Sequence, residues 1–138
     1  MRIGNGGLLA LVAVVCLASG MALGTAAGQS APPAKDSGEI TRQPGPEVDL
    51  GPDLPGYKLK MTTVTFAPGA VRALHDHKKN PEVTYTAQGK LTEFTKAGGM
   101  KEFGAGEMRS NGRDVEHWVE NRGSEKVVMI TAVVVKAP

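Results

Sequence analysis

Three histidines are all that this chain of 138 residues contains, and their spacing is its first feature that could do chemistry. His75 and His77 stand two apart, Glu82 follows shortly after, and His117 lies in a separate stretch, VEHWVEN. On a β-strand, residues two apart project to the same face, so the imidazoles of His75 and His77 point together. Asn80-Pro81 breaks that strand, because proline donates no ladder hydrogen bond and favours a turn. Glu82 then opens EVTYTAQ, and two antiparallel strands joined at this break bring its carboxylate back beside the pair. In the later stretch Val115, His117 and Val119 alternate with Glu116, Trp118 and Glu120. Neutral imidazoles with one carboxylate suit a borderline divalent ion such as zinc, copper, iron, manganese or nickel. His75, His77, Glu82 and His117 therefore read as a single metal site. On an octahedral ion this set leaves positions open for water or a bound molecule.

The elements that must position these residues read as all-β. From Tyr57, KLKMTTVTF is rich in β-branched and aromatic residues and stops at the turn signal Ala67-Pro68-Gly69. VRALHDH and EVTYTAQ follow as strands, with Gly89 where a tight turn wants positive φ. KLTEFTK ends at AGG, MKEF is a short strand, and EMRSNGRD reads as a loop-rich crossing before VEHWVEN. After the turn Asn121–Ser124, KVVMITAVVVK is the longest apolar run and suggests burial on both faces. Short strands between Gly, Pro and Asn turns indicate a sandwich or barrel, and no stretch after the N-terminal segment reads as helical. With regular alternation, Val71 and Ala73 line a wall beside His75, Thr84 and Thr86 share the Glu82 face, and Val119 lies beside His117.

At this point the chain resembles the cupins, small β-barrel proteins of the jelly-roll type. Their first motif, G-x5-H-x-H-x3,4-E-x6-G, is met at every fixed position from Gly69 to Gly89. Their second, G-x5-P-x-G-x2-H-x3-N, is met by Gly106, His117 and Asn121, with Gly112 at the proline position and Asp114 at the second glycine. Both replacements are turn residues, so the reversal before His117 is expected to survive. The resemblance covers roughly residues 57–135 and implies a jelly-roll barrel of the small, single-domain, type-2 kind. It carries the ligand role to His75, His77, Glu82 and His117. It further implies a mononuclear divalent metal centre acting on a small organic molecule, as dioxygenase, decarboxylase or isomerase, the first being the leading enzyme class. The alternative is a non-catalytic module that binds or senses a metal or metabolite. Glu82 either stays a ligand or swings free as a base, and no catalytic residue beyond the ligands can be named.

The rest of the chain frames this barrel. Residues 1–28 pass from Arg2 through a long apolar run to small residues, the order of a secretory signal peptide; an uncleaved anchor is the rival reading. A Sec-type route and a periplasmic or secreted protein are expected. Residues 29–56 hold six of the nine prolines and read as an extended arm or linker, with GEITRQ as a short edge strand and disorder up to about Ser37. Residues 57–138 form the barrel domain. Cys16 lies within the apolar run, so a cleaved chain has no disulfide. The formal net charge is +2, without a basic cluster, which speaks against nucleic acid and against a membrane partner after signal removal. Low aromatic content speaks against a sugar-stacking role. The expected partners are a small-molecule ligand or substrate and a second copy in a homodimer. An exported site without a thiolate takes the ion its surroundings supply, so zinc or copper is expected as found. Trp118 should face away from the metal and pack between sheets or at an interface, Arg109 should be a solvated surface residue, Asp76 should point outward, and Met61 and Met100 should be core.

Overall fold

The computed structural model describes residues 31–137, all in strands, turns and loops; the expected signal peptide lies outside the described residues. The strands are β1 (Ile40–Asp49), β2 (Tyr57–Phe66), β3 (Val71–Asp76), β4 (Glu82–Gln88), β5 (Lys90–Thr95), β6 (Met100–Gly104), β7 (Met108–Asn111), β8 (Glu116–Glu120) and β9 (Val127–Lys136). They form two antiparallel sheets, one in the order β1-β2-β9-β4-β7 and one in the order β3-β8-β5-β6. Inward residues of both sheets make the apolar core of Val64, Phe66, Ala70, Leu91, Val119, Val127 and Met129.

Two motif residues that carry no chemistry explain how the sheets are joined. Gly89 takes the chain from β4 in one sheet to β5 in the other at φ 75°, and an added Cβ would lie 2.7 Å from the Lys126 carbonyl oxygen. Positive φ and this close approach both require glycine. Asn121 is buried just after β8, and its Nδ2 donates to the carbonyls of Phe66, Ala67 and Glu125 at 3.1, 3.0 and 2.8 Å. One amide thus fastens the end of β2 to the turn before β9 and leaves no buried donor unpaired.

Several elements differ from their sequence reading. EMRSNGRD contains β7, which pairs with β4 from Glu82 opposite Asn111 to Tyr85 opposite Met108. The short edge strand expected at GEITRQ is the ten-residue β1, which runs through Pro44 and Pro46 with a register shift between Pro44 and Glu47. An edge strand with a bulge tolerates proline because one side needs no ladder donor. Disorder up to Ser37 is not found within the described residues: Pro33 accepts from the Leu74 amide, Asp36 from the Ala73 amide, and Ser37 pairs with Val71. Met61 and Met100 are exposed rather than core, because Met61 stands opposite Ala132 on the outer face and Met100 begins β6. β9 is buried on its inward face alone, and its outward residues Val128, Ile130, Ala132 and Val134 are half-buried.

Candidate metal centre

β3 and β8 run antiparallel with His75 directly opposite His117. Directly paired residues share a face, so both imidazoles enter the interior between the sheets. His77 follows β3 and enters from the loop before Glu82. The Nε2 atom of His117 lies 2.8 Å from Nε2 of His77 and 3.0 Å from Nε2 of His75. The ligand atoms of these three residues all lie within 4.8 Å of one another, an arrangement that can hold a metal ion.

The other ring nitrogens determine what those Nε2 atoms can do. His75 Nδ1 meets the Ala73 carbonyl at 2.8 Å, His77 Nδ1 the Asn80 carbonyl at 3.2 Å, and His117 Nδ1 a Glu93 carboxylate oxygen at 2.7 Å. Each partner is an acceptor, so each Nδ1 carries the proton and donates it. Each Nε2 then keeps a bare lone pair. Lone pairs aimed at a common point repel one another unless a cation lies among them, so this donor set fits a borderline divalent ion. Burial, followed by the Arg72 charge, pushes His75 down to about 3 from the usual 6.5. His77 is also lowered, chiefly by burial, with Glu82 opposing. Both effects favour the neutral imidazole that a metal requires.

Glu82 enters from the facing sheet. Its Oε1 lies 3.9 Å from His77 Nε2 and accepts from Asn111 Nδ2 at 3.0 Å. It therefore adjoins the triad without being drawn into it, and the amide of Asn111 holds its orientation.

Behind the triad stands a buried ion pair. Glu93 Oε2 receives Arg109 Nη1 at 2.7 Å as well as His117, while Arg109 Nε donates to Thr84 Oγ1 at 2.9 Å and its Nη2 reaches Met129 Sδ at 3.4 Å. Burial opposes the charge on Glu93, but the His117 hydrogen bond and the Arg109 guanidinium outweigh it and hold the carboxyl below its usual range. A carboxylate on the far nitrogen of a metal-binding histidine fixes its tautomer and orientation and raises its basicity.

Some residues do not stand where regular alternation put them. A register shift lies between Arg72 and His75, so Val71 pairs with Glu120 and Arg72 with Val119. Val71 therefore lies on the outward face, and Arg72 takes the inward place beside the histidines. Ala73 sits within the bulge, where its amide binds Asp36 and its carbonyl holds His75. Val119 belongs to the apolar core. Thr84 and Thr86 are buried on the inward face of β4. Arg109 is buried in an ion pair instead of solvated. Trp118 turns away from His117, stacks on Phe94 with centroids 5.1 Å apart, and donates to Glu120 at 3.0 Å. Asp76 is exposed and pairs with Lys78 at 3.7 Å.

Local sequence pattern assigns no role to Glu93, Arg72 or Asn111. Glu93 carries one local signal: it stands two before Thr95 and two after Leu91 in KLTEFTK, on one face with a core residue. Its partner His117 is set by the β5–β8 pairing, which no local pattern reveals.

A two-sheet antiparallel barrel with a histidine cluster between its sheets is the architecture of a cupin. The model of the family described as Cupin domain, Cupin_2, matches residues 62–134, and the chain belongs to that family. Solved structures with the same fold include the cupin domain of Schizosaccharomyces pombe Cnp3, 16% identical, covering 70% of this chain and 61% of that one with a TM-score of 0.56. A cupin domain from Bordetella pertussis Tohama I is 20% identical, covering 70% and 94% with a TM-score of 0.54. A cupin 2 conserved barrel domain protein from Salinispora arenicola is 18% identical, covering 68% and 74% with a TM-score of 0.53. This chain thus spans less than two thirds of the Cnp3 domain's length. No curated protein matches the sequence.

Proposed function

We propose that the barrel holds one divalent metal ion on His75, His77 and His117, with Glu82 as fourth ligand, and that a small organic molecule binds beside it. The observation that carries this reading is the tautomer set: three acceptors hold three Nδ1 protons, and three bare Nε2 lone pairs converge. When bound, the ion supplies Lewis acidity or, if redox-active, a site for oxygen. Glu93 and Arg109 hold His117 in its ligating tautomer, and Asn111 orients the Glu82 carboxylate. The chemistry is that of a dioxygenase, decarboxylase or isomerase, with zinc or copper the ion as found. The segment order of residues 1–28 further supports export to the periplasm or beyond, and the exposed Leu59, Met61, Val83 and Met108 on the outer face of the five-stranded sheet support a homodimer.

A second reading, a non-catalytic binding module, is supported by the engagement of both inner carboxylates. Glu93 is engaged by His117 and Arg109, and Glu82 by Asn111, so among the described residues both of these carboxylates already have partners. Elemental analysis of the purified full chain tests the metal: about one ion per chain is expected, and none would overturn the metal site. Reconstitution with each ion, followed by oxygen uptake on catechols, flavonols and dicarboxylates, separates enzyme from module.

A further inference from the structure

Arg72 and Arg109 both take inward places in the barrel, and their situations are opposite. Arg109 is satisfied by Glu93, Thr84 and Met129. Arg72 enters through the β3 bulge opposite Val119, half-buried beside the histidines, and among the described residues its guanidinium has no hydrogen-bond or ion-pair partner. The charges around it do not supply one. Glu82 attracts it from the facing sheet but is held by Asn111 and directed at His77. Asp36 lies 3.8 Å from Arg42 of β1, and Arg42 itself repels Arg72. By the β3–β8 register Arg72 stands one inward pair away from the paired His75 and His117, on the same face of the sheet.

A guanidinium drawn partly out of water without an anion is costly, and a fold keeps one where a ligand supplies the missing charge. Its planar fork matches a carboxylate bidentately, which a lysine cannot reproduce. We infer that Arg72 is the ligand-orienting residue of this cupin, and that the molecule bound beside the metal is a small organic carboxylate whose carboxyl group meets the Arg72 fork. This rests on the metal reading for its second anchor, since a carboxylate oxygen is also a good donor to a divalent ion. Glu82, once committed to an ion, no longer offers its carboxylate to Arg72.

The test is calorimetric titration of the zinc-loaded full chain with malonate and with its neutral isostere malonamide, alongside elemental analysis of zinc. Wild type should bind malonate and not malonamide. Arg72→Met should weaken malonate by about 10–100-fold, the worth of hydrogen bonds to a charged group, at unchanged zinc content. Arg72→Lys keeps stem and charge, guards against a folding defect, and should fall between the two. Equal malonate affinity in wild type and Arg72→Met, equal affinity of wild type for malonamide, or no binding of malonate by zinc-loaded wild type overturns the assignment. Wild-type protein that takes up no zinc overturns the metal reading instead, and the same titration on that protein then decides Arg72 alone.

Discussion

The two ends of the barrel interior are built from the same strands and have opposite characters. On β8, Val119 belongs to the apolar core and His117, the next inward residue, belongs to the metal centre. β4 makes the same change through Thr86 and Thr84 to Glu82, and β2 passes from Phe66 and Val64 through Thr62 to Lys60 opposite the same β9 residues. At the apolar end, burial of hydrocarbon supplies the stability. At the polar end the inward groups other than Arg72 depend on named partners, and among the described residues no buried side-chain polar atom lacks one. One end of each strand is therefore expected to set whether the chain folds, and the other what it binds.

Single substitutions at the two ends should break different properties. His77→Ala removes one of the converging lone pairs, and metal content after dialysis should drop from about one ion per chain to nearly none. Exposed Asp76→Ala, one residue away, should keep its metal. Retention of metal by His77→Ala would refute the separation of the two ends. Phe66→Ala in the core should cost about 3–5 kcal/mol in denaturant unfolding, by lost transfer energy and the cavity left behind. Below its unfolding midpoint it should still bind one ion.

The boundary between the ends is sharpened by Glu93→Gln, which keeps size but removes the charge behind His117. Metal affinity by competition with a chromophoric chelator should weaken about 10–100-fold, the usual worth of such an outer partner. No change would mean that His117 is held by packing alone. This carboxylate also marks where local pattern stopped being informative. The His75–His77 spacing, Glu82 after its turn, and the strand carrying His117 were legible because each depends on period two or on a turn signal. Asn121 and Gly89 were legible as motif positions, though the carbonyls that Asn121 ties were not. Glu93, Arg109 and Asn111 act through β5–β8 and β4–β7 pairings between residues far apart in sequence. Arg72 escaped for a different reason. A single bulge shifts every side chain before it to the opposite face, and nothing in VRALHDH announces one.

The smallest expected effect is a pH dependence confined to the polar end. In the metal-free folded chain His75 is lowered to about 3, by burial first and by Arg72 second, while an unfolded histidine titrates near 6.5. Between these values the unfolded chain binds a proton that the folded chain refuses, so stability rises with pH across that window. It is fully present above about 6.5 and is lost progressively as the pH falls toward 3. Lowered His77 acts in the same direction. Carboxylates such as Glu93, also held below their usual 4.5, add their own loss at more acid pH, so the histidines are read between about 4.5 and 6.5. Thermal midpoints of the metal-free protein should be flat above this range and decline within it. His75→Gln should flatten that decline, whereas Phe66→Ala should lower the whole curve and leave its slope unchanged. A slope that His75→Gln leaves intact would place the titrating group outside the histidine cluster.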